Sequence, residues 1–346
     1  MERQSLVVLP PELTRAAARV PGRFLLGIDG GATKTLAAVL DIESGAVHLG
    51  HAGPSNEDAI GPAAAVRALL GAAEQAMRSA GIADGDLAGA VLAVAGTDTL
   101  AVAEHLHRTR TEAWTVVNDV VGAWAVATGA SHGLAVIAGT GSNVFGVGPA
   151  GSWRAGGWGH LLGDEGGAYW FGVQSIKAAL RDREASGPPT SLSGALVEFF
   201  DVPSVEALAS LVYSKPLTKS EIAAFAVHSG RIADDGDEVA CEIYERGARE
   251  LGQQVTAVVD RAGLAGQEFP VGLIGSVFRS GEVFTAPLRR QVSTAAPGAQ
   301  IVRVEAPPVA GSLLLAARVA GCPDEVDLAR LERVLTAAST PASQKG

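Results

Sequence analysis

The feature that most constrains this chain is a glycine hairpin that occurs twice. Phe24–Ile28 is an apolar run that enters the glycine turn Asp29–Lys34 and returns as Leu36–Leu40. More than a hundred residues later Gly133–Ala138 repeats the pattern, turning through Gly139–Ser142 into Asn143–Gly148. Apolar stretches of five to seven residues bounded by glycines read as strands joined by tight turns. The same hairpin opening each half of the chain predicts a duplicated fold.

The elements between the hairpins agree. After a third strand, Ala46–Gly50, the spacing predicts a helix over Pro62–Ala80, a strand over Ala88–Ala95 and a helix over Thr99–Arg110. A strand over Trp114–Val117 and a helix over Val120–Thr128 follow, giving β-β-β-α-β-α-β-α with mixed strand direction. The second half continues with helices over Glu165–Arg183, Lys219–Ala233 and Glu238–Ala262. Strands over Val271–Gly275 and Ile301–Val304 and a helix over Gly311–Val319 close it. Residues 1–22 read as an N-terminal extension. Residues 23–130, with a C-terminal helix about 308–340, read as a small first lobe, and 131–307 as a larger second lobe. The tail Pro323–Gly346 holds one short helix and a polar end. Two similar lobes imply a cleft between them, where ligands usually sit.

At 346 residues the length suits two domains, and 47% apolar against 18% charged residues provides for a sizeable core. Mean hydropathy is +0.23. The net charge of −10 argues against nucleic acid or an anionic membrane surface as partner. Small polyanions are another matter, because backbone N–H groups and a metal hold them locally. Cys241 and Cys322 are far apart with no C-x-x-C spacing, which suits a reducing cytoplasm and neither a disulfide scaffold nor a zinc or iron–sulfur site. Residues 1–22 lack the apolar core of a signal peptide. The uncharged stretch Val120–Trp153 is too rich in glycine to span a bilayer. The expectation is a soluble protein.

Four segments carry candidate chemistry. In Gly27-Ile28-Asp29-Gly30-Gly31-Ala32-Thr33-Lys34-Thr35 the paired glycines let backbone N–H groups approach a phosphate without Cβ interference. Thr33 stands where a Walker A loop has glycine, and the G-x-G-x-x-G spacing is absent. Asp29, at the strand end, is placed to hold a hydrated Mg²⁺; a plain hairpin turn is the other reading. Ala138-Gly139-Thr140-Gly141-Ser142-Asn143 is a second such loop. Asn118-Asp119 ends a strand just before a helix. Asp119 is either a helix N-cap or a general base that takes a hydroxyl proton during phosphoryl transfer. In Gly156-Gly157-Trp158-Gly159-His160-Leu161-Leu162-Gly163-Asp164-Glu165-Gly166-Gly167, Trp158 offers a flat apolar face for a sugar ring and Asp164 an acceptor for hydroxyl protons. No second His or Cys lies at ligand spacing from His160, so it reads as structural.

GIDGGATKT, AGTDT, VNDVVGAW, IAGTGSN, GGWGHLLGDEGGAYW and IGSVFRSG occur in the order that characterises the N-acetylglucosamine kinase family, and the chain resembles it from about Phe24 to Gly321. The resemblance implies an α/β fold of two ribonuclease H-like lobes, the duplicated actin/hexokinase type with an interlobe cleft. It implies an ATP- and Mg²⁺-dependent enzyme that phosphorylates the 6-hydroxyl of an amino sugar, working as a cytoplasmic homodimer. By this resemblance Gly30, Gly31, Thr33 and Lys34 form the first phosphate loop and Thr140, Gly141 and Ser142 the second. Asp119 is the catalytic base. Asn56, Gly157, Trp158 and Asp164 line the sugar site with Asp119, and Ala233, Gly275 and Ser276 border adenine and ribose.

The chain departs from the animal enzymes of that family at three places. Ala95 and Ala155 replace a serine and a cysteine, and Asn56 is followed by Glu57-Asp58 instead of an imidazole and an indole. These changes keep glucosamine and N-acetylmuramic acid open as substrates. Two readings of another class stand beside them. One is an activator ATPase of benzoyl-CoA reductase or 2-hydroxyacyl-CoA dehydratase, which would need cluster-bridging cysteines. The other is a non-catalytic sugar sensor, for which no DNA-binding arm is evident.

Overall fold

The computed structural model describes residues 9–10, 13, 17–96, 99–110, 114–214 and 217–339. Most of the extension, Thr97 and Asp98 of the AGTDT motif, and the chain from residue 340 onward lie outside the described residues. The chain divides into two compact units. The first runs to Gly133 and resumes at Val304; the second is Leu134–Arg303.

The first unit is built on strands β1 (Phe24–Gly30), β2 (Thr35–Asp41), β3 (Val47–Ala52), β4 (Leu87–Val94) and β5 (Thr115–Asn118), in the order β3-β2-β1-β4-β5. β1–β2 and β2–β3 are antiparallel, β1–β4 and β4–β5 parallel. Leu26, Ile28 and Leu92 are fully buried with Val66 and Leu69 of the helix Pro62–Ala80. The helix Val309–Val319, from the far end of the chain, also packs on β1, where Ser312 Oγ donates to the Ile28 carbonyl at 2.8 Å. Gly27 permits this approach, since a methyl there would stand 2.7 Å from the Leu313 nitrogen. Leu313 and Leu315 are fully buried on that helix, a gain of about 1.5–3 kcal/mol each over exposure.

The second unit is built on β6 (Gly133–Ala138), β7 (Ser142–Gly148), β8 (Gly151–Gly156), β9 (Phe269–Ile274) and β10 (Ala299–Arg303). Its order, β8-β7-β6-β9-β10, repeats the first unit position for position. β7–β8 is antiparallel, and β6–β9 and β9–β10 are parallel. β8 completes the repeat yet is absent from the sequence reading. It lies at the sheet edge, and its Ser152, Trp153 and Arg154 do not alternate cleanly between apolar and polar. The helix Glu238–Ala262 buries Ile243, Tyr244, Leu251, Val255 and Val258 at helical spacing. Tyr244 stacks on Phe171 of the helix Ala168–Arg183 with ring centroids 4.1 Å apart.

Several helix boundaries differ from expectation. The helix expected from Glu165 begins at Ala168, because Asp164 and Gly166 adopt left-handed backbone conformations (φ 65° and 81°) and turn the chain first. The helix expected over Lys219–Ala233 is two, Lys219–Ala224 and Ala226–Asp234. At the break the Phe225 N–H bonds back three residues to Ile222, and its buried ring packs edge-on to Phe199. The helices Leu192–Phe199, Val205–Ser214 and Glu282–Ala295 were not expected, and the last carries an internal Pro287. Among the described residues no helix is long and apolar enough to cross a membrane.

Candidate functional site

In parallel α/β sheets, ligand-binding residues gather where the strands end, and each unit collects candidates there. In the first unit, Gly30 of β1 is in register with Val94 of β4, and Val94 with Asn118 of β5. This brings Asp29, Gly30, Ala95, Gly96, Asn118 and Asp119 to one sheet end. The Ala95 N–H donates to the Gly30 carbonyl (2.7 Å) and the Ser55 N–H to the Gly31 carbonyl (3.0 Å), which fastens residues 55–57 to the same end. Gly30 has no room for a side chain, as a methyl there would stand 2.5 Å from Ser55 Oγ. The turn itself is closed by the Gly31 N–H on the Lys34 carbonyl (3.0 Å), and Thr33 and Lys34 are exposed. Thr35, the last residue of the motif, is buried and donates to Gly53 and Ser55 at 2.8 Å.

Asp119 is not the N-cap of its helix. Asn118 caps it, its Oδ1 accepting from the Val120 N–H at 3.3 Å, and Asp119 is the first helical residue, partly exposed. Asn56 caps the short helix Glu57–Ile60, accepting from the Asp58 N–H at 2.9 Å. The acidic pair after it splits. Asp58 is exposed, but Glu57 is buried with its carboxylate against Gly96, where a methyl would stand 1.7 Å from Glu57 Oε2. Burial pushes the Asp29 carboxyl up to about 6, against the pull of the Lys34 ammonium. No group of three or more His, Cys, Asp or Glu among the described residues could hold a metal. A lone carboxylate such as Asp29 suits a well-hydrated Mg²⁺ that a ligand's phosphates also hold.

In the second unit the glycine loop is set by the helix that follows it. The first N–H groups of the helix Ala168–Arg183 are taken up by the loop, Ala168 by the Gly139 carbonyl (2.8 Å) and Tyr169 by the Thr140 carbonyl (3.0 Å). Thr140 is exposed. Ser142 is committed locally, its Oγ donating to the Glu165 carbonyl at 2.6 Å and its N–H to Asp164 Oδ1 at 3.4 Å. Gly141 leaves space for that carboxylate, since a methyl would lie 2.7 Å from Asp164 Oδ2. Asp164 thus stands against the second glycine loop, and burial pushes its carboxyl upward.

Gly157 and Trp158 adjoin the same loop, the Gly157 N–H donating to the Ser142 carbonyl at 3.0 Å. Arg154 holds this bend. Its Nε donates to the Gly156 carbonyl (3.2 Å) and its Nη2 to the Gly157 carbonyl (2.7 Å). Trp158 is 58% exposed, available as a flat face. His160 lies edge-on to Tyr169, with ring centroids 5.2 Å apart.

Gly275 completes the set. Its φ is 121°, and a methyl on it would stand 2.2 Å from the Ala138 carbonyl oxygen, so the two loops touch through backbone. Ser276 beside it is exposed. Ala233 is 3% exposed, its side chain in the core and its carbonyl accepting from Cys241 Sγ.

In each unit the glycine loop and the acidic candidates beside it come together at one sheet end. Arg154 was not singled out from sequence, and Asn118 and Glu57 were named there only as neighbours of Asp119 and Asp58. The signals available were an arginine two residues before the Gly156-Gly157 pair and a polar Asn-Asp pair closing an apolar strand.

Residues 26–316 match the model of the BadF/BadG/BcrA/BcrD ATPase family. The chain is 29% identical over 302 residues to a Clostridium acetobutylicum protein named N-acetylmuramic acid/N-acetylglucosamine kinase, covering 85% of this chain and 98% of that one. It is 29% identical over 312 residues to an N-acetyl-D-glucosamine kinase of Dictyostelium discoideum, covering 85% and 97%. A solved structure from Chromobacterium violaceum, a candidate N-acetylglucosamine kinase, shares the fold with TM-score 0.66 at 21% identity, over 85% of this chain and 99% of that one. With most of its length accounted for by one family model, the chain belongs to the BadF/BadG/BcrA/BcrD ATPase family.

Proposed function

We propose that this chain is an ATP-dependent kinase that transfers the γ-phosphate to the 6-hydroxyl of an amino sugar, N-acetylglucosamine first. The observation that carries the reading is the placement of Asp119. The helix start is capped by Asn118, so capping does not account for a carboxylate at the strand end. A general base needs to stand there, within about 2.6–3.2 Å of the proton it takes. The names of the two relatives support the choice of sugar, and N-acetylmuramic acid is the second candidate.

In this reading Asp119 draws the proton from the attacking hydroxyl. Gly30, Gly31, Thr33, Lys34, Thr140 and Gly141 receive the phosphates by backbone and side-chain donors. Asn56, Gly157, Trp158 and Asp164 orient the sugar, with the Trp158 face against the acetyl methyl. Gly275 and Ser276 border the nucleoside, with Ala233 behind them. Asp29 would hold Mg²⁺, which neutralises phosphate charge as the bond to the leaving group breaks. A homodimer in the cytoplasm belongs to the same reading.

The test is kcat/KM at fixed ATP and Mg²⁺ for N-acetylglucosamine, N-acetylmuramic acid, glucosamine, N-acetylmannosamine and glucose. The proposal expects N-acetylglucosamine to lead. A tenfold lead for glucosamine, about 1.4 kcal/mol, would make the buried Glu57 a reader of the free amine and displace N-acetylglucosamine. No turnover of any sugar would end the kinase reading.

A further inference from the structure

Asn118 closes β5 with its side chain 7% exposed, a position where an amide must satisfy both of its ends. It does so in two directions. Its Oδ1 accepts the Val120 N–H at 3.3 Å and starts the helix Asp119–Thr128, while its Nδ2 donates to the Gly96 carbonyl at 2.9 Å. Gly96 follows β4 by two residues, so this one side chain ties the ends of two parallel strands together at the point where the chain turns into the helix.

The first of these bonds does not require asparagine. Serine, threonine or aspartate caps a helix about as well. Of these side chains only the amide carries its donor on a second atom, so that Nδ2 reaches the Gly96 carbonyl while Oδ1 caps the helix, and the carbonyl it grips is well fixed. Gly96 has φ 142°, and the Glu57 carboxylate lies over it where a side chain would be. Asn118 thus anchors the start of the helix to a piece of backbone braced from another side by the segment that carries Asn56.

We infer that Asn118 is a positioning residue for Asp119, aiming the carboxylate by fixing where and in which direction the helix leaves β5. The inference rests on the general-base reading of Asp119 given above. A base reaches its proton only within a narrow distance, and a displacement of about 1 Å can reduce rate roughly a hundredfold. Most sugar and ATP contacts in that reading come from groups other than Asp119, so the effect belongs chiefly in kcat.

Two variants test this. Asn118→Ser keeps a capping oxygen and loses the donor to Gly96. Asn118→Asp keeps the shape and the cap but turns an acceptor toward the Gly96 carbonyl. For both, kcat and the KM values for sugar and ATP are measured beside the melting temperature, with wild type and Asp119→Asn as controls. The expected result is a ten- to hundredfold fall in kcat, both KM values within about threefold of wild type, and a cooperative melt near the wild-type temperature. If Asn118→Ser does not fold, Asn118→Asp decides by the same criterion. A kcat within twofold of wild type, or a loss found wholly in KM, overturns the inference. If Asp119→Asn is inactive while the Asn118 variants are normal, the positioning role alone fails. If wild type phosphorylates no sugar, the kinase reading fails and takes the positioning role with it.

Discussion

Gly139→Ala separates the two reasons a glycine can occupy a loop. Gly139 lies in the second glycine loop, yet a methyl there would meet nothing within 4 Å, and its φ is outside the left-handed range. Folding should therefore tolerate alanine, and the reduced freedom of the unfolded chain even favours it by about 0.4–1 kcal/mol. If the loop receives phosphate, the same methyl stands where an oxygen must approach backbone N–H groups. Loss of one charge-assisted hydrogen bond is worth about 1.5–3 kcal/mol, or roughly 10- to 150-fold in affinity. Gly275→Ala is the contrasting case. At φ 121°, with the Ala138 carbonyl oxygen 2.2 Å from the new methyl, backbone would have to move. Strain of that kind costs on the order of 1–3 kcal/mol before the clash is counted. Thermal melting and calorimetric titration with Mg-ATP distinguish them. Gly139→Ala should melt at or slightly above the wild-type temperature and bind ATP at least tenfold more weakly, while Gly275→Ala should melt several degrees lower. Wild-type ATP affinity in Gly139→Ala would refute the loop's assignment to phosphate.

Two further outcomes follow from particular contacts. The Arg23 guanidinium beside Asp41, with Ser44 Oγ at 2.5 Å, holds that carboxyl well below the usual carboxylate range. A depressed value stabilises the fold above the ordinary carboxylate pKa of about 4 and loses that contribution as pH falls through the folded value. Asp41→Asn should thus lower the melting temperature by roughly 2–4 °C at pH 7, with the gap narrowing below about pH 4. A gap independent of pH would contradict this. Trp158→Ala should leave stability nearly unchanged, because the ring is largely exposed. Losing about 60–90 Å² of apolar contact at about 25 cal/mol/Å² should raise KM for N-acetylglucosamine roughly ten- to fortyfold. An unchanged KM removes Trp158 from the sugar site.

The repeat was legible from its two glycine hairpins, because strand and turn chemistry is local. The apolar strands β1, β4 and β6 and the long amphipathic helix Glu238–Ala262 were legible for the same reason. Edge strand β8 and the helix around Pro287 were not, since neither carries a clean period. The candidate site was legible where backbone conformation demands glycine, as at Gly275. It stayed open where one polar residue stands next to another. Asp119 and Asn118 compete for the same cap on paper, and only the hydrogen bonds of Asn118 decide between them. Glu57 appears in the sequence only as one of the pair Glu57-Asp58, and its carboxylate is buried against Gly96, some forty residues away.

The central claim is that Asp119 is the base for phosphoryl transfer from ATP to an amino sugar. The direct measurement is formation of N-acetylglucosamine 6-phosphate from N-acetylglucosamine and Mg-ATP, followed by mass spectrometry and phosphorus NMR, for wild type and Asp119→Asn. Because general-base catalysis contributes about 10²–10⁴-fold, the account predicts 6-phosphate from wild type. It predicts a rate at least a hundredfold lower from the variant, with ATP affinity within about twofold. An Asn variant that kept more than about a tenth of wild-type turnover, or a wild type that made no phosphosugar, would contradict it.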